Sequence, residues 1–305
     1  NGVSVDALER VTTDKGEFVM VRVHETGRDA REVLPDLLSK LVQGLPWPKT
    51  MTWNASRFRF PRPIRWVVCL LDDAVLPLAV AGIEAKRETQ GHRLIAPGPH
   101  GVVDAGRLDS TLELAGVLLD PEARRERIMH ELEAEATSLG GRLVPDEGLL
   151  REVVFLAEWP RVLSGSFDAK YLELPREVVV TAMRSHQRYF AVEDTTGRLK
   201  PNFLVVCDGE WEDVRFVIAG NERVLRARLE DARFYWKVDL KTGLDRLAES
   251  LGSVVWLESI GTLREKSERV AALVDRLGRE WYPTDWPARR EVAMRAARLA
   301  KADLS

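Results

Sequence analysis

An alternating and then a helical hydrophobic pattern opens the chain. Leu8 to Thr12 and Glu17 to His24 flank the polar turn Asp14-Lys15-Gly16, which predicts a β-hairpin. Leucines spaced three and four residues apart follow, and this is the period of an amphipathic helix. Pro46-Trp47-Pro48 breaks that helix, so the pattern predicts a boundary that sets residues 1–52 apart from the rest of the chain.

Strand-like and helix-like segments alternate in residues 53–237, which predicts a mixed α+β domain. Asp120-Pro121 is typical of a helix start, and Gly140-Gly141 is typical of a helix end. Arg188 to Glu193 and Phe203 to Cys207 predict a second hairpin. The fold class expected for the chain is therefore α+β.

A long amphipathic helix is predicted from Glu222 to Trp236, with Asn221 after Gly220 as its N-cap. One face of this helix is apolar and the other is basic: Leu225, Leu229, Ala232 and Trp236 against Arg223, Arg226, Arg233 and Lys237. A basic stripe is typical of nucleic-acid binding. Because Glu230 can pair with Arg226 or Arg233 at helical spacing, a solvated and internally paired helix face is the alternative.

Residues 238–305 carry helical spacing almost throughout, which predicts a third, helical domain. The C-terminal helices contain no histidine, and the chain has no histidine, cysteine and carboxylate set at metal-ligand spacing, so no metal is expected. The longest apolar run, Trp66 to Leu71, is too short to cross a bilayer. Cys69 and Cys207 form no disulfide framework, which indicates a reducing compartment such as the cytoplasm.

The net charge of −3 excludes a generally basic nucleic-acid-binding protein, so any RNA contact depends on local clusters. One cluster, Ser56 to Trp66, interleaves arginines with aromatic and proline residues. In an extended strand Arg57 and Arg59 share one side and Phe58 and Phe60 the other. Arginine and aromatic faces together recognise unpaired RNA, whereas the alternative is a strand with buried phenylalanines and structural arginine pairs.

A second cluster, His186-Gln-Arg-Tyr-Phe190, follows a predicted helix end. His186, Arg188 and Tyr189 are candidates for RNA contact, and Phe190 is a weaker candidate for base stacking. Two alternatives stay open, namely acid–base catalysis by His186 and a packing role for the segment.

Six strings keep one order along the chain: Phe58-Arg-Phe-Pro-Arg-Pro-Ile-Arg-Trp66, Gly91-His-Arg93, Leu174-Pro-Arg-Glu-Val178, Ser185-His-Gln-Arg-Tyr-Phe190, Gly220-Asn-Glu-Arg-Val-Leu-Arg-Ala-Arg228 and Ile260-Gly-Thr-Leu263. In these strings and their rough spacing the chain resembles the beta subunit of bacterial heterotetrameric glycyl-tRNA synthetase. The resemblance spans nearly the whole chain. That family's chains are much longer, so we expect an internal or N-terminal fragment that stops within the helical middle region.

The resemblance implies a non-catalytic, tRNA-binding role in an enzyme that ligates glycine to tRNA-Gly. It implies that ATP and Mg are bound at a separate alpha subunit, and that this part of the chain holds no cofactor. The expected partners are tRNA-Gly and the alpha subunit, with no membrane and no DNA. The tRNA-binding candidates are Arg57, Arg59, Arg62, Arg65, His186, Arg188, Tyr189, Arg223, Arg226 and Arg233.

The resemblance also implies that residues 1–52 are the remnant of a larger N-terminal α+β domain. It further implies a likeness of the mixed domain to the editing-type domain of the phenylalanyl-tRNA synthetase beta subunit, followed by the start of a helical HD-type domain. Two alternatives to tRNA binding stay open. The mixed domain would hydrolyse mischarged aminoacyl-tRNA, or the chain would chiefly hold the alpha subunit in place. A pocket that admits glycine can exclude every larger amino acid sterically, which weakens the need for such hydrolysis.

Overall fold

A computed structural model describes residues 8–21 and 27–305 of the chain. The chain forms two compact units, residues 1–120 and 121–305. Their elements are mixed helices and strands, in agreement with the predicted α+β class. The expected domain boundaries after residues 52 and 237 stay predictions. His24, at the end of the first predicted hairpin, lies outside the described residues.

The first unit begins with the predicted hairpin, in which Thr13 pairs with Gly16. The elements of this unit are β1 (Leu8–Thr13), β2 (Gly16–Val21), α1 (Ala30–Gly44), β3 (Val67–Val68), β4 (Leu70–Leu71), β5 (Ala74–Val75), β6 (Ala79–Val80), β7 (Ile83–Lys86), β8 (Glu88–Gln90), β9 (Pro99–Gly101) and α2 (Leu108–Leu114). The carboxylate of Asp29 caps α1 by accepting the Arg31 amide at 2.8 Å. Leu78 and Val80 are buried in a small core against Trp53 and Phe58.

The second unit is built around an antiparallel four-stranded sheet. Its elements are α3 (Pro121–Ser138), β10 (Arg142–Leu143), α4 (Glu147–Val153), β11 (Pro160–Ser166), α5 (Arg176–Gln187), β12 (Tyr189–Glu193), β13 (Leu199–Asp208), α6 (Arg215–Thr242), α7 (Leu244–Ser250), β14 (Val255–Leu257), β15 (Gly261–Thr262), α8 (Leu263–Trp281) and α9 (Trp286–Leu299). The sheet order is β10-β12-β13-β11. Strands β12 and β13 form the second predicted hairpin.

Helices cover both faces of this sheet. Successive residues of a strand point to opposite faces, so each strand contributes side chains to both cores. On one face, Tyr189 and Phe203 pack under α5 and α6, where Leu225 and Leu229 are fully buried. On the other face, Phe190 and its neighbours pack against α3 and α4. Helix α6 is therefore held along its apolar side by the sheet.

Helix α6 is longer than the sequence predicts and begins seven residues earlier, at Arg215 rather than Glu222. The predicted N-cap at Asn221 is wrong, since Asn221 lies inside the helix. Its side-chain amide donates to the Val217 carbonyl at 2.7 Å, four residues back. The side-chain oxygen of Asn221, Oδ1, accepts a hydrogen bond from the Tyr189 hydroxyl at 2.6 Å. A bond to the sheet thus occupies the oxygen that a capping residue would offer to the backbone.

Helices α8 and α9 pack against each other in the C-terminal part of the second unit. Thr262 and Glu265 form a capping box at the start of α8. Asp275 of α8 accepts hydrogen bonds from the Arg290 guanidinium at 2.7 Å and from the Trp286 indole at 3.1 Å. None of the described helices combines the length and the apolar character that a bilayer span requires.

Candidate nucleic-acid interface

Helix α6 carries the two arginines that are most accessible in the predicted basic stripe. Leu225 and Leu229 are buried on the inner side, so residues about half a turn away point to solvent. Arg223 lies on that outer side, Arg226 lies on the flank between it and the buried side, and both are exposed. The amphipathic pattern therefore predicted correctly that Leu225 and Leu229 are buried and that Arg223 and Arg226 are exposed.

The glutamates one helical turn before and after Arg226 are hydrogen-bonded to residues outside α6. Glu222 lies four residues before Arg226, and its Oε1 accepts the Ser166 amide at 2.8 Å and the Ser166 hydroxyl at 2.9 Å. Glu230 lies four residues after Arg226, and its Oε2 accepts the Tyr171 hydroxyl at 2.7 Å. Within residues 8–21 and 27–305, neither Arg223 nor Arg226 has an ion pair or a side-chain hydrogen bond. The expected pair between Glu230 and Arg226 is not formed.

Glu230 belongs to a separate charged group beside the segment that precedes α5. The Tyr171 hydroxyl donates a hydrogen bond to this carboxyl and lowers the pKa of Glu230 below the ordinary value. Partial desolvation raises this pKa, whereas the positive charges of Lys170 and Arg233 lower it further. The Lys170 ammonium lies 3.7 Å from the carboxylate. The negative charge of Glu230 is therefore balanced locally and does not neutralise the outer side of α6.

Arg233 is oriented differently from Arg223 and Arg226. Its side chain is 25% exposed, and its guanidinium lies 4.0 Å from both Glu173 and Glu230. The predicted pair between Arg233 and Glu230 is thus present as a loose contact. Arg233 adds positive charge near the outer side but is already shared between two carboxylates.

The cluster at the end of α5 divides between surface and core. His186 is exposed in the last turn of α5. Arg188 adopts the left-handed conformation at the helix C-cap, with φ of 57°, and its Nε donates to Glu152 at 2.8 Å. Arg188 therefore links α5 to α4 while half of its side chain remains exposed.

Tyr189 is part of the core, so its ring does not meet solvent. It is 3% exposed and stacks on Phe203 at a centroid distance of 4.5 Å. Burial raises the pKa of the Tyr189 hydroxyl to about 12, with a smaller contribution from Cys207. Phe190 is 2% exposed on the opposite face of the sheet. In this conformation neither ring can stack on an RNA base, so packing, the alternative stated for the segment, describes both residues.

The arginines of the first unit surround a small aromatic group. Phe58 lies 6.3 Å from Trp53 and Phe60 lies 5.3 Å from Trp47, measured between ring centroids. The prediction that the phenylalanines turn away from the arginines agrees with these contacts. The four arginines of this cluster are all exposed: Arg57, Arg59, Arg62 and Arg65.

Two of these four arginines are engaged locally. The Arg59 guanidinium donates to the Thr50 hydroxyl at 3.0 Å, and that of Arg62 donates to the adjacent Pro61 carbonyl at 3.5 Å. Across the part of the chain that the structure describes, Arg57 and Arg65 have no side-chain hydrogen bond and no ion pair. These two side chains therefore present unneutralised charge on the first unit.

The glycyl-tRNA synthetase beta-subunit model matches residues 1–305. This chain belongs to the glycyl-tRNA synthetase beta-subunit family. It is similar to the glycine–tRNA ligase beta subunits of Trichlorobacter lovleyi, with 43% identity, and of Geobacter metallireducens, with 44% identity, each over 303 residues. The similarity to the same subunit of Moorella thermoacetica is 41% over 304 residues. Each comparison covers 99% of this chain but only 43% or 44% of the relative, so the chain spans less than half the length of these beta subunits.

A groove of about 460 Å³ between α3, β11 and α6 brings several polar groups of the second unit together. Glu131 in this groove accepts the Val162 amide at 2.7 Å and pairs with Arg127 at 3.2 Å. Glu210 accepts the Trp159 indole at 3.1 Å. The described residues that line the groove include no histidine and no cysteine. Its carboxylates serve structural bonds, so the groove offers little support to the alternative of aminoacyl-tRNA hydrolysis, which stays a prediction.

Three exposed aromatic residues of α6 were missed by the sequence reasoning. Phe216 is 82% exposed, Phe234 is 62% exposed and Tyr235 is 63% exposed. Phe216 lies seven residues before Arg223, and Phe234 lies eleven residues after it, which are close to whole numbers of helical turns. This spacing was a usable signal, but a helix thought to start at Glu222 hides Phe216.

Proposed function

We propose that this chain is a non-catalytic, tRNA-binding part of glycyl-tRNA synthetase, an enzyme that ligates glycine to tRNA-Gly using ATP. The observation that carries the proposal is the state of Arg226, which has a glutamate four residues away on each side and is paired with neither. Together with Arg223 it presents two exposed guanidinium groups that have no partner among the described residues and are open to an anion. Guanidinium groups bind phosphate oxygens with two parallel hydrogen bonds, which suits an RNA backbone.

Further arginines extend the proposed contact surface, each within its own unit. Arg57, Arg59, Arg62 and Arg65 would meet phosphates from the first unit. His186, Arg188 and Arg233 would contribute more weakly from the second unit, because Arg188 and Arg233 already face carboxylates. Tyr189 is left out of the contact surface, since its ring is buried.

The chemistry of aminoacylation would lie on a separate alpha subunit, which would hold ATP and Mg in a cytoplasmic heterotetramer. We further propose that the sheet and helices of the second unit are akin to the editing-type domain of the phenylalanyl-tRNA synthetase beta subunit, and that the C-terminal helices open an HD-type domain. These two likenesses are fold-level analogies and carry no catalytic claim. Contact with the alpha subunit is compatible with tRNA binding and stays a prediction.

Binding of tRNA-Gly across a salt series tests the proposal. Because phosphate contacts release counterions, we expect micromolar or tighter binding by the 305-residue chain near physiological salt, falling steeply as salt rises. A non-cognate tRNA serves as the control for sequence preference. Absence of measurable binding near physiological salt would remove tRNA contact from these residues and would leave the scaffold role as the better explanation.

A further inference from the structure

Arg226 stands between two glutamates of its own helix that are placed to pair with it. Glu222 precedes Arg226 by four residues and Glu230 follows it by four, so each carboxylate can reach the guanidinium across one helical turn. Pairing at this spacing favours the paired state by up to about twofold. Local sequence alone therefore predicts an arginine that is partly neutralised, yet within residues 8–21 and 27–305 Arg226 is paired with neither glutamate.

Ser166, the last residue of β11, holds Glu222 through two hydrogen bonds. Its amide and its hydroxyl donate to the same carboxylate oxygen, Oε1, at 2.8 Å and 2.9 Å. The amide is available because β11 lies at the edge of its sheet and this N–H points away from the paired strand β13. Glu222 is therefore directed toward the sheet and away from Arg226.

Tyr171 holds Glu230 in the same way on the next turns of α6. Its hydroxyl donates to Oε2 of Glu230 at 2.7 Å, and the Lys170 ammonium lies 3.7 Å from that oxygen. Because Tyr171 is only 1% exposed, packing in the core fixes the position of its hydroxyl. A hydrogen bond from a fixed donor to a charged carboxylate is stronger than a solvent-screened ion pair between two mobile side chains. The donor on the sheet side therefore prevails over Arg226.

We infer that Ser166 and Tyr171 are positioning residues, which keep Arg226 available to phosphate by holding Glu222 and Glu230 away from it. The inference rests on the proposed tRNA-binding function and deepens it, because it names residues that control the same site without touching RNA. A guanidinium that is free only part of the time binds its anion more weakly in proportion to the free fraction.

The test releases each glutamate and measures binding of tRNA-Gly by the full 305-residue chain at low salt, where exposed ion pairs are least screened. Tyr171→Phe frees Glu230. Ser166→Pro removes both donors to Glu222, and an outward-facing amide on an edge strand is a position that tolerates proline. We expect each variant to weaken binding by about two- to threefold, because the released carboxylate then pairs with Arg226. The two changes together should weaken it more than either alone.

Rescue by glutamine separates this effect from a structural one. On a Glu222→Gln background Ser166→Pro should leave binding unchanged, and on a Glu230→Gln background Tyr171→Phe should do the same, since no carboxylate is left to pair. An equal loss on the glutamine backgrounds would overturn the inference, because it would then come from a distorted fold.

A matched control is Tyr189→Phe, which removes another buried hydroxyl bonded to α6, but one whose acceptor, Asn221, carries no charge. It should bind tRNA-Gly as the unchanged chain does. If Tyr171→Phe and Ser166→Pro also bind normally while Arg226→Ala weakens binding, the inference fails and the proposed function stands.

A readout without RNA distinguishes the two claims further. The Nε–H signal of Arg226 in an NMR spectrum, assigned by its loss in Arg226→Ala, should shift in Tyr171→Phe and in Ser166→Pro and return on the glutamine backgrounds. An unchanged signal in both variants would overturn the inference whatever the RNA does. A shifted signal in a chain that binds no tRNA-Gly would instead overturn the proposed function, and with it the claim that the freed guanidinium serves phosphate.

Discussion

Tyr189 and Phe190 are neighbours in the chain, yet they lie in different cores. Alternation along β12 sends Tyr189 toward α6 and Phe190 toward α3, and both become fully enclosed. An aromatic pair beside a histidine and an arginine resembles a stacking site in sequence. The burial of each residue depends instead on the helices that later segments place over the sheet.

Replacing Tyr189 by phenylalanine separates packing from RNA contact. The substitution keeps the ring stacked on Phe203 and removes only the hydrogen bond to Asn221, so we expect a loss of about 1 kcal/mol in the free energy of unfolding. Affinity for tRNA-Gly should not change. Denaturant unfolding and a binding titration on the same preparation check both statements, and a marked loss of affinity would return Tyr189 to the interface.

The same variant has a pH signature. The pKa of Tyr189 is raised to about 12 in the folded chain, above the usual phenol value of about 10 in an unfolded chain. The stabilisation that comes from keeping the Tyr189 hydroxyl protonated is fully present below about pH 10. It is lost as the pH rises from about 10 to about 12, because this hydroxyl loses its proton at a lower pH in the unfolded chain than in the folded chain. Tyr189→Phe should therefore lose stability less steeply over that alkaline range than the unchanged protein.

Arg226 shows which property of a single residue the sequence can indicate and which it cannot. Its exposure follows from the helical period, because Leu225 and Leu229 identify the buried side. Its lack of a partner does not follow, since Glu222 and Glu230 stand at ideal pairing distance along the helix. Their actual partners, Ser166 and Tyr171, are 56 and 59 residues away in the chain, so only the tertiary structure reveals them.

At the scale of helices and strands, the sequence predicted the elements that carry a strong local sequence pattern. Hairpin β12–β13 and helix α3 were expected, because alternation, turn residues and a proline at the first helical turn mark them. Strand β11 was missed, since its segment ends in Ser164-Gly165-Ser166 and looks like a loop. Gly165 is required there because a Cβ would lie 2.3 Å from the Phe203 ring of the paired strand. Close packing between strands, rather than local preference, makes this segment a strand.

Helices α6 and α8 each contain an interior glycine, Gly220 and Gly278, and the two sites can be compared directly. Gly220 interrupts α6, but a Cβ built on it meets no atom within 4 Å, so Gly220→Ala should raise the free energy of unfolding by about 0.5–1 kcal/mol. Gly278 of α8 is the opposite case, because a Cβ there would lie 2.3 Å from the Trp286 ring. Gly278→Ala should destabilise the chain by about 1–3 kcal/mol through overpacking.

Urea unfolding of both glycine variants beside the unchanged chain measures the two effects. Opposite signs are expected from the same chemical change. A destabilising Gly220→Ala would mean that α6 does not continue through this position, and the helix start near Asn221 would have to be reconsidered.

At the scale of the whole molecule, the net charge and the local distribution of charge lead to different expectations about RNA binding. The chain carries a net charge of −3, which by itself gives no general attraction to RNA. Tertiary contacts engage Glu222 and Glu230 of α6 and leave Arg223 and Arg226 without a partner among the described residues. Each unit thus presents its own exposed arginines while the protein as a whole stays slightly acidic.

The measurement that decides between RNA binding and a solvated helix face is the salt dependence of tRNA-Gly binding by matched arginine variants. Arg223→Ala and Arg226→Ala remove neighbouring guanidinium groups from the basic stripe of α6, whereas Arg228→Ala removes an equal charge from an exposed position on the opposite flank of the same helix. Because each phosphate contact contributes about one unit or slightly less to the slope of log affinity against log salt, the first two variants should each lower that slope by about one. Arg228→Ala should leave it nearly unchanged. Equal effects of all three variants, or none from any of them, would contradict the assignment of this face to tRNA.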